Sequence, residues 1–267
     1  MPAPIPKRRR SPLLLELASL PFLLFLGLPL MALLYRASLE DIAAALQQEA
    51  ARQAIQLSLI TTLVSLGVTV VSGTPVAYWL ARHPSRGKRI LDTLIDLPSV
   101  LPPAVAGLAL LMTFGRQGLL GAYLYPLGVR IPFTAVAVVM AQTFVAGPLY
   151  VRAAAIGFAG LDCELEDAAA LDGSNQWQTF WEISVPICSV GLVSGLVSTW
   201  ARALGEFGAT ILFAGNFPGR TQTMPLAIYL GFEQDINVAL ALSAILVGVS
   251  FVTLLLVKVV LRRVDHE

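Results

Sequence analysis

Leu161-Asp-Cys-Glu-Leu-Glu-Asp-Ala-Ala-Ala-Leu-Asp-Gly-Ser-Asn-Gln-Trp-Gln-Thr-Phe-Trp-Glu-Ile-Ser-Val-Pro186 is a polar island set between long apolar segments. Asp162, Glu164, Glu166, Asp167, Asp172 and Glu182 give it six carboxylates, and no Lys or Arg lies within the stretch to balance them. Asp167 to Leu171 holds three alanines and reads as a short helix, stopped by Gly173 as its left-handed C-terminal residue. Ser174 or Asn175 can cap a second helix carrying Trp177, Phe180 and Trp181. Three aromatics within five positions, beside acids and outside the bilayer, predict a surface that docks into a partner.

Outward from the island the chain turns apolar. Of its 267 residues 56% are hydrophobic and 13% charged, and the mean hydropathy is +0.74. A soluble domain is nearer to about 25% charged, so most of this chain is expected in lipid. One all-α membrane domain is predicted over residues 13–263, after a basic tail at 1–12 and with no appended soluble domain. A net charge of +1 speaks against nucleic acid as a partner. Cys163 and Cys188 flank the island without metal or redox spacing, and only His83 and His266 stand beside them. No ligand set for a metal or cofactor is expected in this chain.

Six spans are predicted. Lys7-Arg8-Arg9-Arg10 precedes Leu13 to Tyr35, whose 23 residues exceed the roughly 7–15-residue apolar core of a signal peptide, so an uncleaved first span is expected. Arg36 to Gln53 reads as an amphipathic surface helix, with a capping-box-like start at Ser38-Leu39-Glu40-Asp41. The second span is Ala54 to Ala81, followed by the basic turn Arg82 to Arg89. The third has Asp92 and Asp96 at its entrance, then Pro98, Pro102 and Pro103, then Ala104 to Phe114. Three prolines in six residues cannot continue an unbroken helix. The break reads either as a bend lining a pathway or as an entry loop at the interface. Gly115 to Pro132 is a loop, and Phe133 to Ile156 and Ile187 to Leu212 are the fourth and fifth spans. Phe213 to Ile236 is expected as a polar loop and Val238 to Val260 as the sixth span.

Charge sets the orientation. With an even span count, Lys7 to Arg10, Arg82, Arg86, Lys88, Arg89, Arg152, Lys258, Arg262 and Arg263 share one side; Arg36, Arg52, Arg116, Arg130 and Arg220 take the other. The richer side is predicted to be cytoplasmic, with both termini and the acidic island.

Arg202 and Glu206 stand one helical turn apart in the fifth span, and Arg202 lies 16 residues beyond Pro186, about 24 Å along a helix. Each such charge costs about 2.5–3.5 kcal/mol to insert, so both are expected to face a partner or water. Two readings are open: a salt bridge that braces the bundle, or an arginine that meets an anion in the pathway. Gly215 to Thr221 lacks the lysine and glycine spacing of a phosphate loop, so the chain is not expected to hydrolyse ATP.

Two stretches carry a family resemblance. Asp167-Ala168-Ala169, Gly173 and Ile183-Ser184-Val185-Pro186 resemble the Glu-Ala-Ala…Gly…Ile-x-Leu-Pro loop of the membrane subunits of binding-protein-dependent ABC importers, with Asp167 for Glu and Val185 for Leu. The resemblance implies that Glu166, Asp167, Ala168, Ala169, Gly173, Trp177, Ile183 and Pro186, within a loop of about 157–186, dock into a groove of an ATPase subunit. Arg202-Ala-Leu-Gly-Glu206-Phe-Gly-Ala, Phe213-Ala-Gly215-Asn216 and Leu101-Pro102-Pro103-Ala104 look like the permease subunit of molybdate importers. Sulfate and thiosulfate permeases are similar.

The resemblance implies the type I importer fold and a homodimer in the cytoplasmic membrane. It also implies two ATPase subunits holding ATP and Mg, and a periplasmic protein delivering molybdate or tungstate. Pro102, Pro103, Arg202, Glu206, Gly215 and Asn216 are the resulting pathway candidates. An ion-coupled secondary transporter is the contrasting class. It would need ionisable groups in several spans, and here only Arg202 and Glu206 qualify.

Overall fold

Residues 13–82 and 88–264 are described by a computed structural model; the tail at 1–12, positions 83–87 of the basic turn and residues 265–267 lie outside the described residues. The architecture is all-α. Helix α1 (Leu13–Arg36) is apolar all round, as a helix facing lipid is, and among the described residues it packs chiefly against α14 (Ile236–Val264).

The surface helix predicted over Arg36–Gln53 ends early. Ser38 caps α2 (Leu39–Gln47) by accepting from Asp41 N–H at 3.0 Å, as the capping signal predicts. Gln48 is extended, and α3 (Glu49–Arg82) begins at once. The second span is therefore a 34-residue helix that starts five residues before the expected Ala54. Glu49 starts it because a carboxylate suits a helix N-terminus, and Arg52 pairs with it at 2.6 Å.

The third span is broken where the prolines forbid a helix. Helix α4 (Lys88–Val100) tolerates Pro98 in its last turn, and α5 (Pro103–Phe114) starts with Pro103 at its first position. The two axes differ by 113°. Arg152 on the fourth span pairs with Asp92 at 3.5 Å and with Asp96, which ties the oblique α4 to the bundle. A short helix α6 (Gly121–Leu124) lies in the following loop, and α7 (Ala135–Ala159) is the fourth span.

The island comprises α8 (Cys163–Leu171), α9 (Gln176–Thr179), a π-helical turn over Phe180–Ser184, and α10 (Val185–Ile187). The fifth span is not the continuous helix expected over Ile187–Leu212. It runs as α11 (Ser189–Leu204), breaks at Gly205, and resumes as the six-residue α12 (Gly208–Phe213). The island helix Gln176–Ile187 meets α11 at 72°. The expected polar loop 213–236 contains a further helix, α13 (Met224–Gln234), because Pro225 fits its first turn and Leu226 and Ala227 are buried by neighbouring helices.

Among the described residues, α1, α3, α7 and α14 each contain a stretch long and apolar enough to cross a membrane, and the two bent pairs bring the number to six if each counts as one span. The six-span expectation thus stands in a form with two interrupted members.

The bundle is built on α3, α7 and α11. Gly191 of α11 meets Gly157 of α7 so closely that a Cβ there would lie 3.2 Å from the Gly157 Cα. Small residues allow this approach where apolar burial between helices drives little in lipid. Hydroxyls supply the cross-links: Ser65 with Thr143 at 3.0 Å, Thr74 with Tyr150 at 2.6 Å, and Thr199 Oγ1 donating to Ala146 O at 3.3 Å.

Candidate functional site

The island is rigid by local construction. Asp162 caps α8 by accepting from Glu164 N–H at 3.1 Å. At the far end Gly173 adopts φ +93°, Ser174 N–H reaches Ala169 O at 3.0 Å, and Gly173 N–H reaches Ala170 O at 3.1 Å. These are the two bonds of a Schellman stop, which needs a left-handed residue at this position. Of the two cap candidates, Asn175 is the one used. Its Oδ1 accepts from Trp177 and Gln178 N–H at 3.0 and 2.9 Å, and Gln178 Oε1 accepts from Asn175 N–H at 2.9 Å. The turn between the two helices is thereby bonded on both sides.

One carboxylate ties the island to the bundle. Arg82, the last residue of α3, pairs with Glu166 at 2.9 Å, although the island's own sequence offers it no cation. Ser184 Oγ and Tyr78 Oη donate to the same Glu166 oxygen at 2.7 and 3.3 Å. The guanidinium also donates to Leu161 O at 3.1 Å and Cys163 Sγ at 3.3 Å. Beneath this clasp the rings of Tyr78, Phe158 and Phe180 meet at 5.2 to 6.0 Å, so the aromatic anchor ties the π-helical turn to α3 and α7.

The outer face differs. Asp167 and Ala168 are exposed, Ala169 is buried beneath them, Ile183 is half-buried and Pro186 exposed. Leu171 is 89% and Trp177 70% exposed, and Leu165 and Trp181 stand out beside them. Two leucines and two tryptophans thus stand exposed together on an acidic platform, and an apolar patch of this kind suits docking. Glu166 does not belong to that face; it points back into the bundle.

A second cluster lies at the other end of α11, whose 16 residues span about 24 Å. Arg202 Nη1 donates to Glu206 at 2.6 Å. Glu206 is 1% exposed, and its other oxygen accepts from Ala209 N–H at 2.9 Å, so the carboxylate caps α12 across the break. Gln142, buried in α7, donates to Ala203 O and Thr62 Oγ1, both at 3.2 Å. It holds the last turn of α11 from the opposite side, a role without any sequence signal beyond a polar residue in an apolar span.

The pathway candidates divide. A Cβ on Gly208 would lie 2.5 Å from Pro103 Cβ, and one on Gly107 would lie 2.7 Å from Ala209 O. The proline break is thus packed against the Arg202–Glu206 break, with Pro102 and Pro103 exposed beside it. Gly215 and Asn216 lie beyond the far end of α12 and serve the loop. Gly215 takes φ +74° beneath Phe217, while Asn216 donates to Leu226 O at 3.3 Å and accepts from Gln222 Nε2 at 2.9 Å.

Comparison with known proteins places this geometry. The chain is 42% identical over 235 residues, 87% of its length and 88% of the other's, to the molybdenum transport system permease protein ModB of Mycobacterium tuberculosis. It is 35% identical over 246 residues, 91% of its length and 85% of the other's, to a probable sulfate transport system permease protein of Chlorokybus atmophyticus. A bacterial ABC transporter that imports alginate has the same fold, with a TM-score of 0.74, 18% identity and 94% of each chain covered. The model of the binding-protein-dependent transport system inner membrane component matches residues 73–266, from the end of α3 through the island and both breaks, and the chain belongs to that family.

Proposed function

We propose that this chain is the membrane-spanning permease of an ATP-driven importer for molybdate, with tungstate, a tetrahedral dianion of similar size, as a second substrate. Two copies form the pathway. Two ATPase subunits, which bind ATP and Mg in place of this chain, grip the two islands from the cytoplasm. A binding protein outside the cytoplasmic membrane delivers the anion. Both termini and the island lie on the cytoplasmic side, in keeping with the excess of Lys and Arg on the loops of that side.

The observation that carries this reading is the island's outer face. It is held rigid by a Schellman stop, a capping box and an ion pair, yet it leaves Leu171 and Trp177 in the open. A lever must be stiff and must offer anchors, and both conditions are met. Greater identity to a molybdenum permease than to a sulfate permease supports the choice of anion.

Gly173→Pro and Asp167→Lys test the docking. Both variants are expected to insert and to lose the ATPase subunit on co-purification, with uptake lost in parallel; wild-type yield and uptake from both would reject the assignment. Molybdate uptake by vesicles, challenged with tungstate and with sulfate, tests the substrate. Competition by tungstate alone is expected, and stronger competition by sulfate would select the sulfate reading.

A further inference from the structure

Resting on the permease reading, we infer that Arg82 and Glu166 are a positioning pair: they lock the docking helix to the end of α3, so that a displacement of α8 is passed sideways into the bundle. Three observations converge. The pair is well shielded, with the Arg82 and Glu166 side chains 12% and 16% exposed. One Glu166 oxygen is met from three places: it pairs with Arg82 on α3 and accepts from Tyr78, one turn earlier, and from Ser184 in the π-helical turn that leads to α11. The guanidinium in return holds the entry to α8 through Leu161 O and Cys163 Sγ.

Without that clasp α8 would keep its chain connections and its packing on α9 and the π-helical turn, with no bond to α3. A nine-residue helix so held can roll together with that small unit, and rolling dissipates a push. The clasp removes that freedom. It joins α8 to the 34-residue α3, which packs along α7 and α11. It also engages the π turn, where the wider coil brings Ser184 Oγ onto the carboxylate. A positive group at the C-terminus of α3 is further favoured by the helix dipole. Glu166 therefore acts inward, through α3, and the outward contacts with the ATPase fall to Asp167, Ala168 and the exposed apolar side chains.

The test uses the full permease with its ATPase subunit in vesicles, comparing Arg82→Gln, Glu166→Gln, Arg82→Lys and the exchange Arg82→Glu with Glu166→Arg. Complex yield, ATP hydrolysis and molybdate uptake are read together. For Arg82→Gln and Glu166→Gln, complex yield and hydrolysis are expected to stay near wild type while uptake per ATP falls about tenfold. Arg82→Lys and the exchange should recover part of that ratio. An unchanged ratio overturns the inference, and so does a loss of complex yield in step with uptake, which a docking or purely structural role would give.

A second measurement leaves Arg82 and Glu166 unchanged, and the serine that replaces Cys163 still offers the guanidinium an acceptor. Spin labels on Glu164→Cys and Val76→Cys, in a Cys163→Ser, Cys188→Ser background, report the distance from α8 to α3 with and without trapped ATP. A constant distance is expected, and a change between the two states overturns the rigid link. Failure of the permease reading is separate: the wild-type chain would then not co-purify with an ATPase at all.

Discussion

At the residue scale, the two charged pairs do different work because their surroundings differ. Glu206 is buried and bonded on both oxygens, to Arg202 and to Ala209 N–H, so it braces the break between α11 and α12. That bonding favours the bracing role over direct contact with an anion. Arg202 is 34% exposed, so Arg202→Ala should fall at the low end of the about 3–5 kcal/mol typical of stranding one buried partner. Glu206→Ala should cost a similar amount by freeing the buried Ala209 N–H as well. The double variant should lose less than the two single losses combined, as the melting temperatures in detergent will show; strict additivity would refute the pairing. The cysteines give a second residue-level expectation. Cys163 is exposed, whereas Cys188 is buried and its thiol donates to Gly157 O at 3.4 Å. A maleimide should modify Cys163 quickly and leave Cys188 intact until the protein is denatured, as mass spectrometry can establish.

At the element scale, the turns of the island and the α5–α12 contact are the vulnerable points. Gly173 has open space around it but a φ of +93°, so Gly173→Ala is strained for conformational and not steric reasons. It should cost about 1–2 kcal/mol in the left-handed region. Asn175→Ala removes the capping box and should cost about 0.5–2 kcal/mol. Both losses should show as faster amide exchange confined to residues 163–180. At Gly107 the obstacle is backbone: a Cβ would sit 2.9 Å from Ala209 Cα. Gly107→Ala should force α5 from α12 and destabilise by about 1–3 kcal/mol. Gly67→Ala, on the exposed side of α3 with nothing within 4 Å, should be neutral or stabilising by up to about 1 kcal/mol. Thermal unfolding of the two variants side by side separates packing from propensity.

At the scale of the whole molecule, the exposed surface reports the environment. An 18-residue apolar window of α1 holds no buried residue, and in that of α14 22% of the residues are buried. Faces this apolar are satisfied by lipid or by a second copy. Native mass spectrometry of the assembled complex is expected to find two permease chains with two ATPase subunits, and a single permease chain per complex would contradict the dimeric pathway. The alternation of continuous and interrupted spans also has a global sense. The continuous α3 and α7 form the stiff centre, while the bent pairs α4–α5 and α9–α11 put their breaks at the island and beside Glu206. Broken backbone in a membrane domain is tolerated only within protein or beside water.

Much of what is local in sequence was legible in the sequence, although the restart of the helix at Glu49 and the helix Met224–Gln234 were not. Span-length apolar runs, the Ser38 cap, the left-handed Gly173, the proline break before Pro103 and the one-turn spacing of Arg202 and Glu206 each depend on residues a few positions apart. Their geometry follows from helical pitch and backbone sterics alone. The tertiary structure decided the rest. The island has no cation of its own, so its partner Arg82 is found only once α3 ends beside α8. Gln142 looks like a polar intruder until α7 places it against Ala203 O. The stop at Gly205 interrupts a run that apolar character alone would continue, because Glu206 is drawn down to cap α12. These choices turn on which helix faces meet, and pairing across the bundle is set by packing between distant segments, about which periodicity along one segment carries no information.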